Sequence, residues 1–194
     1  MSGNAEPGQR PAVFLDRDGV LNRALVVDGT PHPPATVEEL ELLPGVQDAC
    51  RRLHAAGLLL IVASNQPDLA RGTQSIEAVE AINAALLARL PLDDVRVCPH
   101  DDADRCPCRK PEPGLLLDAA RELHVDLSSS VMVGDRWRDV EAGRRAGCKT
   151  VFVDWGYSER SPQGPDLTVH TLAEAVPWIL ERTSEEPSGH AQSR

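Results

Sequence analysis

Five short apolar runs, four of them nearly uninterrupted, set the limits on what this chain can fold into. They are Ala12-Val13-Phe14-Leu15, Leu58-Leu59-Leu60-Ile61-Val62-Ala63, Val95-Arg96-Val97, Val131-Met132-Val133 and Thr150-Val151-Phe152-Val153. A strand with one wet face alternates apolar and polar residues, whereas a run without alternation reads as a strand covered on both faces. Stretches with helical spacing lie between the runs. Gly45 to Ala56 puts Val46, Ala49, Cys50 and Leu53 on one face and stops at Gly57, a good helix terminator. Ser75 to Leu90 spaces Ile76, Val79, Ile82, Ala85 and Leu86 the same way. Pro113 to Leu123 opens on a proline at a permitted early position, Trp137 to Ala146 ends before Gly147, and Thr171 to Glu181 comes last. Strand and helix alternate, which predicts an α/β fold on a parallel sheet. Such sheets bind ligands beyond the C-terminal ends of their strands. Each polar motif is therefore judged by whether it follows a run.

The length, 194 residues, suits one domain. The expected division is a disordered tail over 1–11, a single domain over 12–182 and a second disordered tail over 183–194. No stretch of 18 or more apolar residues is present, so no membrane span is expected. Met1 to Arg10 lacks the apolar run of a signal peptide, which points to the cytoplasm. Thirty acids against twenty bases and 3% aromatic residues argue against nucleic acid or an anionic membrane as partner. Five cysteines are a poor fit to a disulfide framework in a cytosolic chain. Only two of the bases are lysines, Lys110 and Lys149, so a lysine falling beside a motif by chance is improbable.

Asp16-Arg17-Asp18-Gly19-Val20-Leu21-Asn22 follows the first run. Residues i and i+2 of an extended chain point the same way, so Asp16 and Asp18 can face one site before Gly19 allows a sharp turn. Two adjacent acids resist joint ionisation unless a cation arrives. That asymmetry is what a nucleophile and a general acid need. A calcium loop would want a third acid or Asn before the glycine, and the plain alternative is a solvated turn. Ser64-Asn65-Gln66 closes the second run and could hold phosphate oxygens, or be ordinary turn chemistry.

Cys98-Pro99-His100 and Cys106-Pro107-Cys108 put three thiols and an imidazole within eleven positions. That set suits tetrahedral zinc, with no ligand position left open for catalysis, so the loop over 98–108 reads as a structural Zn²⁺ site. Arg109-Lys110-Pro111 is attached directly to it, and a fixed cation there can neutralise phosphate and orient a carboxylate. Gly134-Asp135-Arg136-Trp137-Arg138-Asp139 follows the fourth run and opens a helix. Asp135 and Asp139, four apart, would share a helix face and repel, unless a bound cation or Lys110 relieved them. Helix-start acids facing the macrodipole are the simpler alternative.

The order Asp-x-Asp-Gly, Ser after the second run, Lys, then Gly-Asp-x-x-x-Asp resembles the haloacid dehalogenase superfamily of phosphotransferases, over roughly Val13 to Val153. The loop running into Cys108-Arg109-Lys110-Pro111 resembles its zinc-bearing subgroup, the heptose bisphosphate and histidinol-phosphate phosphatases. Asp-Arg-Asp-Gly-Val-Leu-Asn and Leu69-Ala70-Arg71-Gly72 are closer to the heptose enzymes; the short metal loop and Gly72-Thr73-Gln74-Ser75 to the histidinol enzymes. The resemblance implies a Rossmann-like parallel sheet sandwiched by helices. Neither Asp18–Ser64 nor Asn65–Lys110 is long enough to hold a large cap domain as well as the expected elements, so the Val20–Pro34 segment and the metal loop alone would roof the site.

The resemblance also implies the chemistry. Asp16 would be the nucleophile, forming an aspartyl-phosphate, and Asp18 the general acid and base. Mg²⁺ would be held by Asp16, the backbone carbonyl of Asp18, and Asp135. Ser64 and Lys110 would hold phosphoryl oxygens, while Asn65, Gln66 and Arg109 would contact substrate, and Asp139 would orient Lys110 or a metal-bound water. The expected activity is removal of the 7-phosphate from D-glycero-D-manno-heptose 1,7-bisphosphate by a monomer. Histidinol-phosphate hydrolysis is the rival among enzymes, and a phospho-acceptor signalling module the rival outside them. Ser64 stands where the heptose enzymes carry threonine. Pro67 and Asp68 replace a small residue and glycine, and Arg23 to Pro34 lacks the aromatic-containing pattern expected there.

Overall fold

All five runs become strands of one sheet in the structure, a computed structural model that describes residues 9–27 and 30–184. In chain order the elements are β1 (Ala12–Leu15), β2 (Leu25–Val27), β3 (Thr30–His32), α1 (Val46–Ala55), β4 (Leu59–Asn65), α2 (Asp68–Arg71) and α3 (Ile76–Arg89). There follow β5 (Asp94–Cys98), α4 (Gly114–Leu123), β6 (Val131–Gly134), α5 (Trp137–Ala146), β7 (Lys149–Val153), β8 (Leu167–Val169) and α6 (Leu172–Ser184). The main sheet has six strands, all parallel, in the order β5-β4-β1-β6-β7-β8. Leu15, the last residue of β1, lies opposite Val62 of β4 and Val133 of β6, and β4 runs on three residues further, to Asn65, and β6 one further, to Gly134. The chain builds outward from β1 to β5 on one side, then crosses to the other with β6. The crevice at that reversal is where such a sheet binds ligand.

Both faces are covered, as the apolar runs predict. Val13 and Leu15 pack in a core with Val46 and Leu53 of α1, Ile82 and Leu86 of α3, and Ala175 and Ile179 of α6. Ala12 and Phe14 point the other way, into a core with Leu116 and Ala119 of α4 and Ala146 of α5. Ser75 caps α3 by accepting from the Ala78 N–H at 3.2 Å, while Ile76, in its first turn, is exposed.

Four elements exceed the sequence expectation. β2 and β3 form an antiparallel hairpin of three residues a side, held apart from the main sheet. The single-turn α2 follows β4, and β8 adds a short edge strand. Each is too brief to show periodicity, and Pro31 inside β3 argues against a strand except at an edge. The N-terminal tail needs correction at its inner end. The Arg10 N–H donates to His124 O and its guanidinium to Gly57 O, both at 3.0 Å, and Pro11 O accepts from Leu59 N. Residues 1–8 and 185–194, the rest of the two expected tails, lie outside the described residues. Neither interval around Ser64 holds a further domain among the described residues, and none of their helices is long and apolar enough to cross a membrane.

Candidate active site

The polar motifs meet at the C-terminal ends of the central strands. Asp16 follows β1, Ser64 and Asn65 are the last residues of β4, and Asp135 follows β6. With Asp18, Arg109, Lys110 and Asp139 they line one cavity of about 240 Å³. Lys110 lies at its floor, 2% exposed, with Nζ 2.8 Å from Asp16 Oδ1, 2.5 Å from Asp139 Oδ1 and 2.7 Å from Ala63 O. An ammonium has three protons, so all are committed. Burial alone would lower the Lys110 pKa, but the Asp139 and Asp16 carboxylates outweigh it and hold it above its ordinary value.

The two acids at the start of α5 have different surroundings. Asp139 has both oxygens engaged, Oδ1 by Lys110 and Oδ2 by the Arg136 N–H at 2.9 Å. Asp135 is equally buried, yet neither of its oxygens has a partner in hydrogen-bond geometry. Burial, then the nearby Asp16 and Asp139, push the Asp135 pKa well up, against a smaller pull from the Tyr157 hydroxyl. Burial also raises Asp16, to about 6, despite the opposing charge of Lys110. Carboxylate oxygens of Asp16, Asp135 and Asp139 come within 4.8 Å of one another. Since Asp139 is already satisfied, the orphaned pair on Asp135 and the free Oδ2 of Asp16 form the set that a hard cation such as Mg²⁺ fits. Gly19 makes this approach possible. It has φ +90°, and a Cβ there would collide with the Asp135 carboxylate.

Asp18 also lines the cavity, under several restraints. It accepts from Arg17 Nε at 3.1 Å, Asn22 Nδ2 at 2.9 Å and Gln66 Nε2 at 2.8 Å. Arg17 is fully buried, and its Nη1 reaches Asn83 Oδ1 of α3 at 3.1 Å; Nη2 lies 3.0 Å from Asp18 Oδ2 as an ion-pair contact outside hydrogen-bond geometry. Two expected substrate contacts have other partners. Gln66 does not line the cavity; its buried amide donates to Asp18 and to Ser64 Oγ, because its side chain turns back behind the strand end. Asn65 reaches the cavity wall, but its amide makes a reciprocal pair with the Lys110 backbone, at 3.0 and 3.1 Å. Both thus position catalytic-site neighbours. Trp155 was not anticipated; its Nε1 donates to Gly19 O at 2.8 Å across 136 positions of sequence. The only sequence hint is that it follows β7.

Cys98, His100, Cys106 and Cys108 converge at the end of β5, with five of the six ligand-atom pairs 3.0 to 3.6 Å apart and all of them within 4.8 Å. These approach the ~3.7 Å edge of a tetrahedron with Zn–S bonds of ~2.3 Å. Burial pushes the Cys98 thiol above its ordinary pKa, so a cation at the centre is what would keep it a thiolate. The donor set fits zinc. Arg109 leaves this loop with Nη1 on His100 O at 3.1 Å and Nε on Asp102 at 2.8 Å. The remaining cysteines, Cys50 and Cys148, are buried elsewhere.

Comparison with known proteins places these features in context. Residues 107–175 match the HAD-hydrolase-like family model. A D-glycero-D-manno-heptose-1,7-bisphosphate 7-phosphatase of Thermosynechococcus vestitus is 41% identical over 193 residues, covering 88% of this chain and 95% of that protein. A D-glycero-beta-D-manno-heptose-1,7-bisphosphate 7-phosphatase of Rhodopseudomonas palustris is 41% identical over 155 residues, covering 74% and 83%. Among solved structures, D,D-heptose 1,7-bisphosphate phosphatase from B. bronchiseptica, complexed with magnesium and phosphate, superposes with a TM-score of 0.74 at 33% identity, covering 88% of this chain and 98% of that one.

Proposed function

Since the chain belongs to the D-glycero-D-manno-heptose-1,7-bisphosphate 7-phosphatase family of haloacid dehalogenase-like hydrolases, we propose that it removes the 7-phosphate of that sugar through an aspartyl-phosphate on Asp16. The observation that carries the chemistry is the buried Asp16–Lys110–Asp139 chain beside an Asp135 whose oxygens have no partner in hydrogen-bond geometry. Asp16, Asp135 and the Asp18 backbone carbonyl would hold Mg²⁺, which when bound acts as a Lewis acid and template for the phosphoryl oxygens.

Asp16 attacks phosphorus in line, and the bond to the sugar oxygen breaks. Asp18 gives its proton to that leaving oxygen, then takes one from the water that attacks the aspartyl-phosphate, releasing phosphate and restoring Asp16. Arg17, Asn22 and Gln66 keep the Asp18 carboxylate aimed. Asp139 fixes Lys110, which keeps Asp16 in one orientation and can trade a proton contact for a phosphoryl oxygen; Ser64 offers its hydroxyl to another. Zinc on Cys98, His100, Cys106 and Cys108 would be structural, fixing where Arg109 and Lys110 leave the loop. The reading extends to a cytoplasmic monomer with a small phosphorylated sugar as its partner.

The test is phosphate release with Mg²⁺ from both anomers of the heptose 1,7-bisphosphate and from histidinol phosphate, with the site of cleavage read by phosphorus NMR. The expected result is loss of the 7-phosphate with a higher kcat/KM than for histidinol phosphate. Preference for histidinol phosphate, or a long-lived phospho-Asp16 without turnover, overturns the assignment.

A further inference from the structure

The Asp18 carbonyl and Asp135, two of the groups proposed to hold Mg²⁺, sit on separate turns, Asp18–Gly19 after β1 and Asp135–Arg136 after β6. One stretch of chain that the phosphoryl-transfer chemistry leaves unused touches both: the start of the connection from β7 to β8. Its root is tied down. The Asp154 N–H donates to Val169 O of β8 at 2.8 Å, and Asp154 Oδ1 accepts from the Gly156 N–H at 2.8 Å across a turn that Gly156 makes at φ +67°. From there Trp155 Nε1 donates to Gly19 O at 2.8 Å. Four residues on, Glu159 accepts from Arg136 Nε at 3.0 Å and from Arg136 Nη2, and Arg160 lies over the Trp137 ring, 4.7 Å from its centroid. Tyr157, between these contacts in sequence, turns its hydroxyl toward Asp135 outside hydrogen-bond geometry.

These contacts decide how the two turns present their oxygens. The Gly19 N–H donates to Asn22 O at 2.7 Å. A trans peptide points its C=O opposite to its N–H, so that bond sets the direction of the Asp18 carbonyl. The indole holds the next carbonyl of the same turn, so Gly19 is fixed on both sides. Asp135 packs against this glycine too closely to admit a Cβ, and the guanidinium of the residue after Asp135 ties that turn to Glu159. Once ionised, the Asp16 and Asp135 carboxylates repel, which drives the turns apart until a cation arrives. Mg²⁺ also tolerates little departure from octahedral geometry. Turns already fixed in place spare the cation the cost of ordering them. We propose that the segment from Trp155 to Arg160 is a brace that presets the Mg²⁺ site, with Trp155 and Glu159 as positioning residues, one for the turn bearing the Asp18 carbonyl and the other for the turn bearing Asp135. This rests on the phosphatase reading above, which supplies the Mg²⁺ site.

Calorimetric titration of the zinc-loaded full chain, dialysed free of magnesium, with magnesium chloride tests the brace. Trp155→Phe keeps a ring and removes the indole N–H, so the Kd for Mg²⁺ should rise about threefold to tenfold, the effect of one lost hydrogen bond. Glu159→Gln should raise it about threefold, because the contact to Arg136 loses its charge. Linkage demands the reciprocal effect. Mg²⁺ should slow hydrogen exchange of the Trp155 indole N–H by a factor similar to the change in Kd, read by nitrogen-15 NMR on the one of three indole resonances that Trp155→Phe removes. A Kd matching wild type in either variant, or indole exchange indifferent to Mg²⁺, overturns the proposal. A lower Tm of magnesium-free Trp155→Phe with an unchanged Kd overturns it too, and makes the segment a structural strut. If wild type itself takes up no Mg²⁺, the phosphatase reading fails and the brace with it; if wild type binds and both variants match it, the brace alone fails.

Discussion

The floor and the rim of the cavity use the same side chains, carboxylates against cations, at opposite ends of the burial scale. Lys110 and Asp139 are 2–3% exposed as a pair, whereas Asp102 is 56% exposed between Arg109 and Arg138. At the floor, water cannot replace a lost partner, so each charge depends on its neighbours for its protonation state and its position. At the rim, water competes for every contact, so pairs can open and close at small cost. The difference gives the floor fixed charges and the rim exchangeable ones, and several measurements would break or sharpen it.

The largest effect is expected from Asp16→Asn, which keeps the volume but removes the attacking oxygen's charge. Phosphatase activity should fall by about 10⁴-fold or more, with the far-ultraviolet circular dichroism unchanged. Lys110→Met should be next, because it leaves Asp16 and Asp139 buried without their cation. A stability loss of about 3–5 kcal/mol is expected by urea denaturation, together with loss of activity. Cys106→Ser tests the link between the two regions, since the loop it belongs to delivers Arg109 and Lys110. Metal analysis should fall from about one zinc per chain toward none, and kcat/KM should drop about tenfold to a hundredfold.

Proton competition at the floor gives a smaller effect with a defined sign. Burial raises Asp16 to about 6, so at pH 5 it retains a proton that Mg²⁺ must displace, and the upward shift of Asp135 acts in the same direction. Apparent Mg²⁺ affinity, read by thermal shift, should therefore increase about tenfold from pH 5 to pH 7. The folded Asp16 holds its proton more tightly than the unfolded chain, whose value is near 3.8. Its contribution to the metal-free protein is thus full below about pH 4 and lost as pH rises to about 6. Wild type should lose stability relative to Asp16→Asn over that window, and Mg²⁺ should restore it. The smallest effect belongs to the rim. Arg71→Gln, which breaks an exposed pair with Asp101, should change stability by less than about 1 kcal/mol. A loss as large as that of Lys110→Met would erase the contrast.

Much of the floor was legible in the sequence because its residues directly follow, or end, apolar strands. Asp16 follows β1, Ser64 ends β4 and Asp135 follows β6, so a rule about strand ends brings them together before any distance is known. Lys110 was marked by its scarcity as a residue type. The cluster of Cys98, His100, Cys106 and Cys108 was legible because a tetrahedral donor set closed by a short loop imposes local spacing. Arg17 was not, since a residue between two site-facing acids should point away from them; it does enter the core, and there turns its guanidinium onto Asp18. The bonds of Gln66 to Asp18 and Ser64 were not legible for a related reason: a strand-end amide can face the ligand or fold back, and local sequence does not distinguish the two.

The sequence by itself determined the parallel sheet, the strand ends that form the crevice, and the identity of the groups that gather there. Those properties follow from periodicity and from spacing within one or two turns, which are local. The tertiary structure decided which acid at the start of α5 is bound to Lys110 and which has free oxygens, although Asp135 and Asp139 are similar in type and burial. It also decided that Trp155 holds the Gly19 turn and that Asp102 lies between arginines from two separate segments. Those pairings depend on three-dimensional approach between distant parts of the chain, and a hydrogen bond is selective over a few tenths of an ångström. Composition and pattern carry no information at that scale.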